Sequence, residues 1–310
     1  MILEGPPGLP ATALRWAISM APVVGVEPVG GGITHTKWVL ILASGKQLVM
    51  RWVDPARWGQ VGREHVKRET LACQLLKDSG LPVPVLIGSD PDGTVAGGPA
   101  NLLTWRPGHS RLDPLSPSAV DALARAAVAI HQQSVPRSDR PPIFTFRGPD
   151  DPQVPEWSNR PGLWRRAIGI FHAGVPPTPY GLLHRDFHLG NILWQNDQVS
   201  GLIDWAETSW GPPDLDVAHM CSDFAMMHSP AAADVFRTAY LRAGGQLDPD
   251  PDAAAFWTVS DILGFLPDPA HILAAVQPAR PDLTAPRIRA GLENLLAVAL
   301  APGRRSSPIT

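Results

Sequence analysis

The run Trp38-Val39-Leu40-Ile41-Leu42 is apolar and rich in strand-forming residues. Ser44-Gly45-Lys46 interrupts it, and Gln47-Leu48-Val49-Met50-Arg51-Trp52-Val53 resumes it, which predicts a β-hairpin. Over 66–78, Leu71, Leu75 and Leu76 fall near one helical face, and Gly80 stands where a helix-ending glycine belongs. Two short strands are expected over 83–88 and 100–105. After Arg106-Pro107-Gly108 the pattern turns helical. Ser116 and Pro117 supply an N-cap and a first-turn proline for a helix reaching about residue 133. Further helices are expected over 163–173, from Ser229-Pro230 to Gly244, over 256–265 and over 288–299. The first hundred residues thus read as strands with one helix. The Pro-rich stretch 135–161 is too long for an ordinary connection, so it is either an ordered functional loop or a flexible insert. The expected architecture is α+β, in two lobes with a cleft between them. A β-rich lobe over 1–105 is followed by a larger helical lobe over 106–310.

Composition alters this picture in one respect. The 35 Pro and 28 Gly residues make up about a fifth of the 310, which approaches the range of disordered chains. A hydrophobic share of 44%, 11 Trp and only 18% charged residues oppose disorder, because enough apolar surface is available to offset the ordering entropy. Net charge is −3 and no basic stripe appears, so a nucleic-acid partner is not expected. No apolar run reaches the roughly 18 residues of a membrane span, and the N-terminus lacks a basic region of signal-peptide type. Cys73 and Cys221 cannot form a disulfide framework and read as packing residues. A cytoplasmic protein is the expectation, as a monomer or homodimer.

Polar residues concentrate in one strongly apolar setting, Leu182-Leu183-His184-Arg185-Asp186-Phe187-His188-Leu189-Gly190-Asn191-Ile192-Leu193-Trp194. Leu202-Ile203-Asp204-Trp205 follows. The apolar runs 192–194 and 199–203 flank the turn Gln195-Asn196-Asp197, so Asn191 and Asp204 are expected at the open end of a hairpin. Buried carboxylates are paired or bind metal. The oxygens of Asn191 and Asp204 suit a hard cation such as Mg²⁺, and Asp186 is left to accept a proton. A zinc site from His184, Asp186 and His188 is an alternative, but it leaves Asn191, Asp204 and Asp216 without a role.

The order His184-Arg185-Asp186, then Asn191, then Ile203-Asp204-Trp205 resembles the catalytic set of kinase-like enzymes. Its details are similar to the aminoglycoside phosphotransferase and choline kinase-like family of small-molecule kinases. Gly211-Pro212-Pro213-Asp214-Leu215-Asp216-Val217-Ala218 also resembles an element of that family, as do Pro82-Val83-Pro84 and the stretch Leu103-Thr104-Trp105-Arg106-Pro107-Gly108. The resemblance covers roughly residues 25–225 and implies a two-lobed protein-kinase-like fold with a small β-rich N-lobe.

It further implies an ATP- or GTP-dependent, Mg²⁺-requiring transfer of phosphoryl to a small-molecule hydroxyl. Asp186 would be the catalytic carboxylate. Asn191 and Asp204 would hold the metal, while His184 and Asp216 would order the loop. Gly30, Gly31, Gly32 and Thr34 would cover the nucleotide phosphates, Arg51 and Glu69 would pair beside them, and Leu103 and Trp105 would line the adenine hinge. Family members often carry Lys where Arg51 stands. This chain has only four Lys, against 22 Arg, and guanidinium keeps the charge and offers phosphate a fork. Lys37 or Lys46 could supply the charge instead, and Arg51 also leaves open a catalytically silent, kinase-like nucleotide-binding module.

The acceptor is expected to be an antibiotic such as an aminoglycoside or macrolide, with metabolite alcohols (choline, amino-sugar or homoserine-like) as the alternative. Between 204 and 270 there are eleven acidic residues and two Arg. The resemblance implies an acceptor pocket in the helical lobe with acidic side chains, so a cationic acceptor is expected, with Glu207, Asp223, Asp261 and Asp268 as candidate contacts. Asp248-Pro249-Asp250-Pro251-Asp252 reads as a solvated turn.

Overall fold

The computed structural model describes residues 5–30 and 35–301. The described chain divides into two compact units, one of residues up to Gly108 plus Ser200–Thr208, the other of His109–Val199 and the residues from Ser209 on. The first is a small antiparallel-sheet lobe and the second a helical lobe.

In the first unit the elements are α1 (Ala11–Met20), β1 (Val23–Val29), β2 (His35–Leu42), β3 (Gln47–Val53), α2 (Pro55–Leu76), β4 (Leu86–Asp90) and β5 (Ala100–Thr104). The strands form one sheet in the order β1-β2-β3-β5-β4. The expected hairpin is β2–β3, paired in antiparallel register with Lys37 opposite Arg51 and Trp38 opposite Met50. Trp38, Leu40, Met50 and Leu102 on one sheet face pack against Ala13, Trp16 and Ala17 of α1. The reading of one helix in this region is corrected: α1 precedes the sheet and covers it. The other helix is longer than its apolar repeat suggests. Asp54 accepts a hydrogen bond from the Ala56 amide (2.9 Å) and Pro55 opens the first turn. The start is obscured in the sequence because residues 55–65 include two glycines, Gly59 and Gly62, among five polar side chains. Gly59, at φ 45°, breaks the helix near its start.

The second unit holds β6 (His109–Ser110), α3 (Pro117–His131), α4 (Pro161–His172), β7 (Gly181–Leu183), β8 (Ile192–Gln195), β9 (Gln198–Leu202), β10 (Ser209–Gly211), α5 (Asp214–Met227), α6 (Pro230–Arg242), α7 (Pro251–Leu263), α8 (Leu273–Val276) and α9 (Ala285–Ala299). At Ser200, within β9, the chain passes into the first unit, and it returns after Thr208. β7 pairs with β10, and β6, β8 and β9 form a second small sheet. Ser116 and Ser229 cap α3 and α6 as expected, each accepting from the amide three residues on at 3.2 Å.

α5 escaped the sequence pattern for a physical reason: every residue in it except His219 is buried, so it shows no amphipathic stripe. The turn expected at 248–252 is also corrected in part, because Asp250 caps α7 and accepts from the Asp252 amide at 3.0 Å. The 135–161 stretch is an ordered loop. Phe144 N–H donates to Trp210 O (3.1 Å), Trp210 N–H donates to Pro142 O (2.9 Å), and Trp157 Nε1 donates to Pro267 O (2.9 Å). Among the described residues no helix is long and apolar enough to cross a membrane.

Candidate active site

In the first unit Arg51 is the hub. It is 4% exposed on β3, and Glu69 on α2 is 1% exposed. Arg51 Nε lies 3.1 Å from Glu69 Oε1, and Nη2 donates to Asp204 Oδ1 at 2.5 Å and to His35 Nδ1 at 3.1 Å. Lys37, directly across the strand pair, reaches Asp204 Oδ2 at 3.6 Å. The other Glu69 oxygen accepts from Asn101 Nδ2 of β5 at 3.0 Å. Burial favours the neutral form of Asp204, but the charges of Arg51 and Lys37 outweigh it and hold the carboxyl well below the usual range. For Glu69 burial wins over the attraction of Arg51, and its pKa is raised. Burial, reinforced by Arg51, drives His35 well below its ordinary value, which suits Nδ1 as an acceptor.

Asp204 has φ 66°, a conformation that a non-glycine residue adopts only where the surroundings enforce it. Leu103 is buried in β5, paired with Val49 on one side and Leu86 on the other. Trp105 is exposed just after the strand, and its amide donates to Gln47 O at 3.2 Å. Gly30 is exposed, while Gly31, Gly32 and Thr34 lie outside the described residues.

In the second unit, Asp186 lies on the loop between β7 and β8. Its Oδ2 accepts from Asn191 Nδ2 (3.0 Å) and lies 3.6 Å from His188 Nε2. Its Oδ1 accepts from Arg147 Nη1 (3.2 Å) and lies 3.8 Å from His219 Nε2. Burial would raise the carboxyl pKa, but the hydrogen bond and charge of His188, with Arg147 and His219, hold it well below the ordinary value. Asn191 also donates to the Asp186 carbonyl at 2.9 Å. Its amide nitrogen is thus engaged, while its amide oxygen is the atom type that a hard cation takes.

The loop is pinned from beneath. Asp216, fully buried in the first turn of α5, accepts from the amides of His184 and Arg185, both at 2.8 Å, and from His131 Nε2 at 3.2 Å. Arg185 takes φ 70° at this point. His184 is buried with its ring edge-on to Phe187.

The residues expected to contact the acceptor each have partners within the protein. Glu207 belongs to the first unit, where it meets His65 (3.1 Å) and Arg68 (3.8 Å) of α2. Asp223 accepts from the Leu189 amide at 2.9 Å. Asp268 accepts from the Ala270 amide and is forked by Arg289. Asp261, buried on α7, accepts from Ser222 Oγ (2.6 Å) and from His219 Nδ1 (2.9 Å). Their charge therefore serves internal partners, because a buried or half-buried carboxylate is stable only when paired. Among the described residues no group of three His, Cys, Asp or Glu is arranged to hold a metal, so the zinc reading of His184, Asp186 and His188 finds no such cluster. Arg147 and His219, both turned to Asp186, carry no local sequence signal. One sits in an irregular loop and the other in an unpatterned helix.

The antiparallel-sheet lobe, the helical lobe and these two clusters define a protein-kinase-like phosphotransferase fold. A sequence model of the phosphotransferase enzyme family, APH, matches residues 25–257. The chain belongs to that family. Acyl-CoA dehydrogenase family member 10 of Mus musculus is 26% identical over 202 residues, 58% of this chain, and the chain spans only 19% of that protein's length. A provisionally named aminoglycoside phosphotransferase of Ralstonia eutropha JMP134 aligns with a TM-score of 0.62 at 19% identity, over 93% of this chain and 96% of its own. The amicoumacin kinase hAmiN, in complex with AMP-PNP, Ca²⁺ and Ami, aligns with a TM-score of 0.61 at 14% identity, over 91% and 92%. At these identities the likeness is one of fold.

Proposed function

We propose that the chain transfers the γ-phosphoryl group of ATP, or GTP, to a hydroxyl of a small molecule. The observation that carries this reading is Asp186: a carboxylate met by Asn191, His188, Arg147 and His219, on a loop anchored to buried Asp216. Phosphoryl transfer asks the protein mainly for positioning and charge stabilisation. As the acceptor oxygen bonds to the γ-phosphorus, the bond to the nucleoside diphosphate breaks and the hydroxyl proton passes to Asp186. Arg51, oriented by Glu69, is assigned to the nucleotide phosphates, with the backbone around Gly30, Gly31, Gly32 and Thr34 covering them and Leu103 and Trp105 at the adenine. A divalent cation such as Mg²⁺, when bound, neutralises phosphate charge, and the oxygens of Asn191 and Asp204 are the donors of the right kind for it. The first unit would thus serve the nucleotide and the second the acceptor.

Antibiotics such as aminoglycosides and macrolides are the first acceptor class. The engagement of Glu207, Asp223, Asp261 and Asp268 with internal partners weakens the argument for a polycationic acceptor and favours including metabolite alcohols.

The test has two stages. Thermal shift with ATP or GTP, with and without Mg²⁺, should show nucleotide-dependent stabilisation. A nucleotide-consumption screen over antibiotics and hydroxylated metabolites should then give turnover that Asp186→Asn abolishes. No stabilisation and no turnover would indicate a silent module, and turnover persisting in Asp186→Asn would remove that residue from its role.

A further inference from the structure

His219 is the only α5 residue that is not buried, and it stands between two carboxylates. Its Nδ1 is 2.9 Å from Asp261 Oδ1, and its Nε2 is 3.8 Å from Asp186 Oδ1. Asp261 is itself fixed. Its side chain is 4% exposed, and its second oxygen accepts from Ser222 Oγ at 2.6 Å, one helical turn beyond His219 on the same helix. Phe265, just past α7, stacks on the imidazole at 5.8 Å with planes 10° apart, and His271 stacks beyond it at 6.2 Å. His188, on the loop of Asp186, meets the imidazole edge-on at 6.0 Å. The charged and titratable groups around His219 are therefore Asp261 from α7, Asp186 and His188 from the loop, Arg147 on the far side of Asp186, and His271 behind Phe265.

Each part of this arrangement restricts the next. Ser222 orients Asp261, Asp261 accepts a hydrogen bond from Nδ1–H, and Phe265 fixes the ring plane. Nε2 is then left facing Asp186. A histidine aligned by a carboxylate behind it is a recurrent way to hold a ring nitrogen on a functional group. Nothing in the family-like motif of residues 184–218 includes either His219 or Asp261.

We propose that Ser222, Asp261 and His219 form a positioning relay that holds the Oδ1 side of Asp186, opposite the Oδ2 side held by Asn191. The inference rests on the role of Asp186 given above. Arg147, at 29% side-chain exposure, is the partner on Oδ1 that an arriving acceptor hydroxyl can displace. His219, at 15%, is the one that stays and keeps the carboxylate oriented.

The relay can be tested on the whole chain labelled with ¹⁵N-histidine. Long-range ¹H–¹⁵N correlation spectra report the protonation of each ring nitrogen, with His219 assigned by its loss in His219→Gln. If that variant does not fold, the assignment comes from the signal that Asp261→Asn perturbs. The wild type should show a protonated, hydrogen-bonded Nδ1. Asp261→Asn should remove that signature, and Asp186→Asn should move the Nε2 resonance while leaving Nδ1 in place. A bare Nδ1 in the wild type, or an Nε2 resonance unmoved by Asp186→Asn, overturns the proposal. In the acceptor assay, His219→Gln should lower kcat by about tenfold to a hundredfold with an unchanged nucleotide KM. Wild-type kcat in that variant overturns it as well. Failure of nucleotide binding would count against the proposed function, whereas failure of the spectroscopic coupling counts against the relay alone.

Discussion

Lys37 and Arg51 face each other across the β2–β3 pair, and both reach Asp204, one on each carboxylate oxygen. Arg51 also holds Glu69 with a different nitrogen of the same guanidinium. A single ammonium cannot take both carboxylates with this fixed geometry, whereas a planar fork can. Arg51→Ala leaves Glu69 buried without its cation and should cost about 3–5 kcal/mol. Arg51→Lys keeps a charge but not the fork, so its Tm should lie between those of Arg51→Ala and the wild type. Thermal unfolding of the three proteins decides the point, and a Tm for Arg51→Lys equal to wild type would contradict the argument.

Asp216 offers its two oxygens to the amides of His184 and Arg185. In Asp216→Asn one oxygen becomes an NH₂ group that opposes an amide donor. The loss should be about 1–3 kcal/mol, the scale of a buried donor left unsatisfied. Urea unfolding should show a lower midpoint at unchanged slope. An unchanged midpoint would mean that the loop is not held through this carboxylate.

Asp214 behaves in the opposite way. Burial, with Asp248 nearby, pushes its pKa up to about 6 despite the Asp248 amide bonded to it. A carboxyl whose folded pKa lies above its unfolded value binds more protons when folded, so it lowers stability as pH rises through that window. The penalty is absent below about pH 4, complete above about pH 6, and of order 1–3 kcal/mol. Asp214→Asn should therefore be more stable than wild type at pH 8 and no more stable at pH 4. A stability difference independent of pH would refute this.

Gly291 on α9 sits where a methyl group would come within 2.9 Å of the Ala225 carbonyl carbon on α5, and closer still to its oxygen. Backbone cannot yield as a flexible side chain does, so Gly291→Ala should separate these helices and cost about 1–3 kcal/mol. Chemical denaturation would show the loss. A neutral effect would mean that the two helices can part freely.

Much of this was legible in the chain. The β2–β3 hairpin shows as two apolar, strand-forming runs about Ser44-Gly45-Lys46, Ser116-Pro117 and Ser229-Pro230 announce their helices, and residues 184–191 combine charged and amide groups within an apolar flank. Each of these is a local signal. α1 and α5 were not legible, the second because a helix buried on all sides has no stripe. Glu207 could not be separated from the acidic run around it, and only its ion pairs with His65 and Arg68 show where its charge goes.

The sequence by itself determined the β2–β3 hairpin, the capped helices α3 and α6, the family-like block that carries Asp186, Asn191 and Asp204, and the presence of Arg at position 51. The tertiary structure decided which carboxylates are engaged and by what. It set Lys37 beside Arg51, brought Arg147 from a proline-rich loop to Asp186, and aligned Asp261 behind His219. The physical reason is one of range. Caps, turns and periodicity act within a few residues, while an ion pair depends on side chains 39 residues apart, as for Arg147 and Asp186, or 153 apart, as for Arg51 and Asp204, and only the fold brings these together.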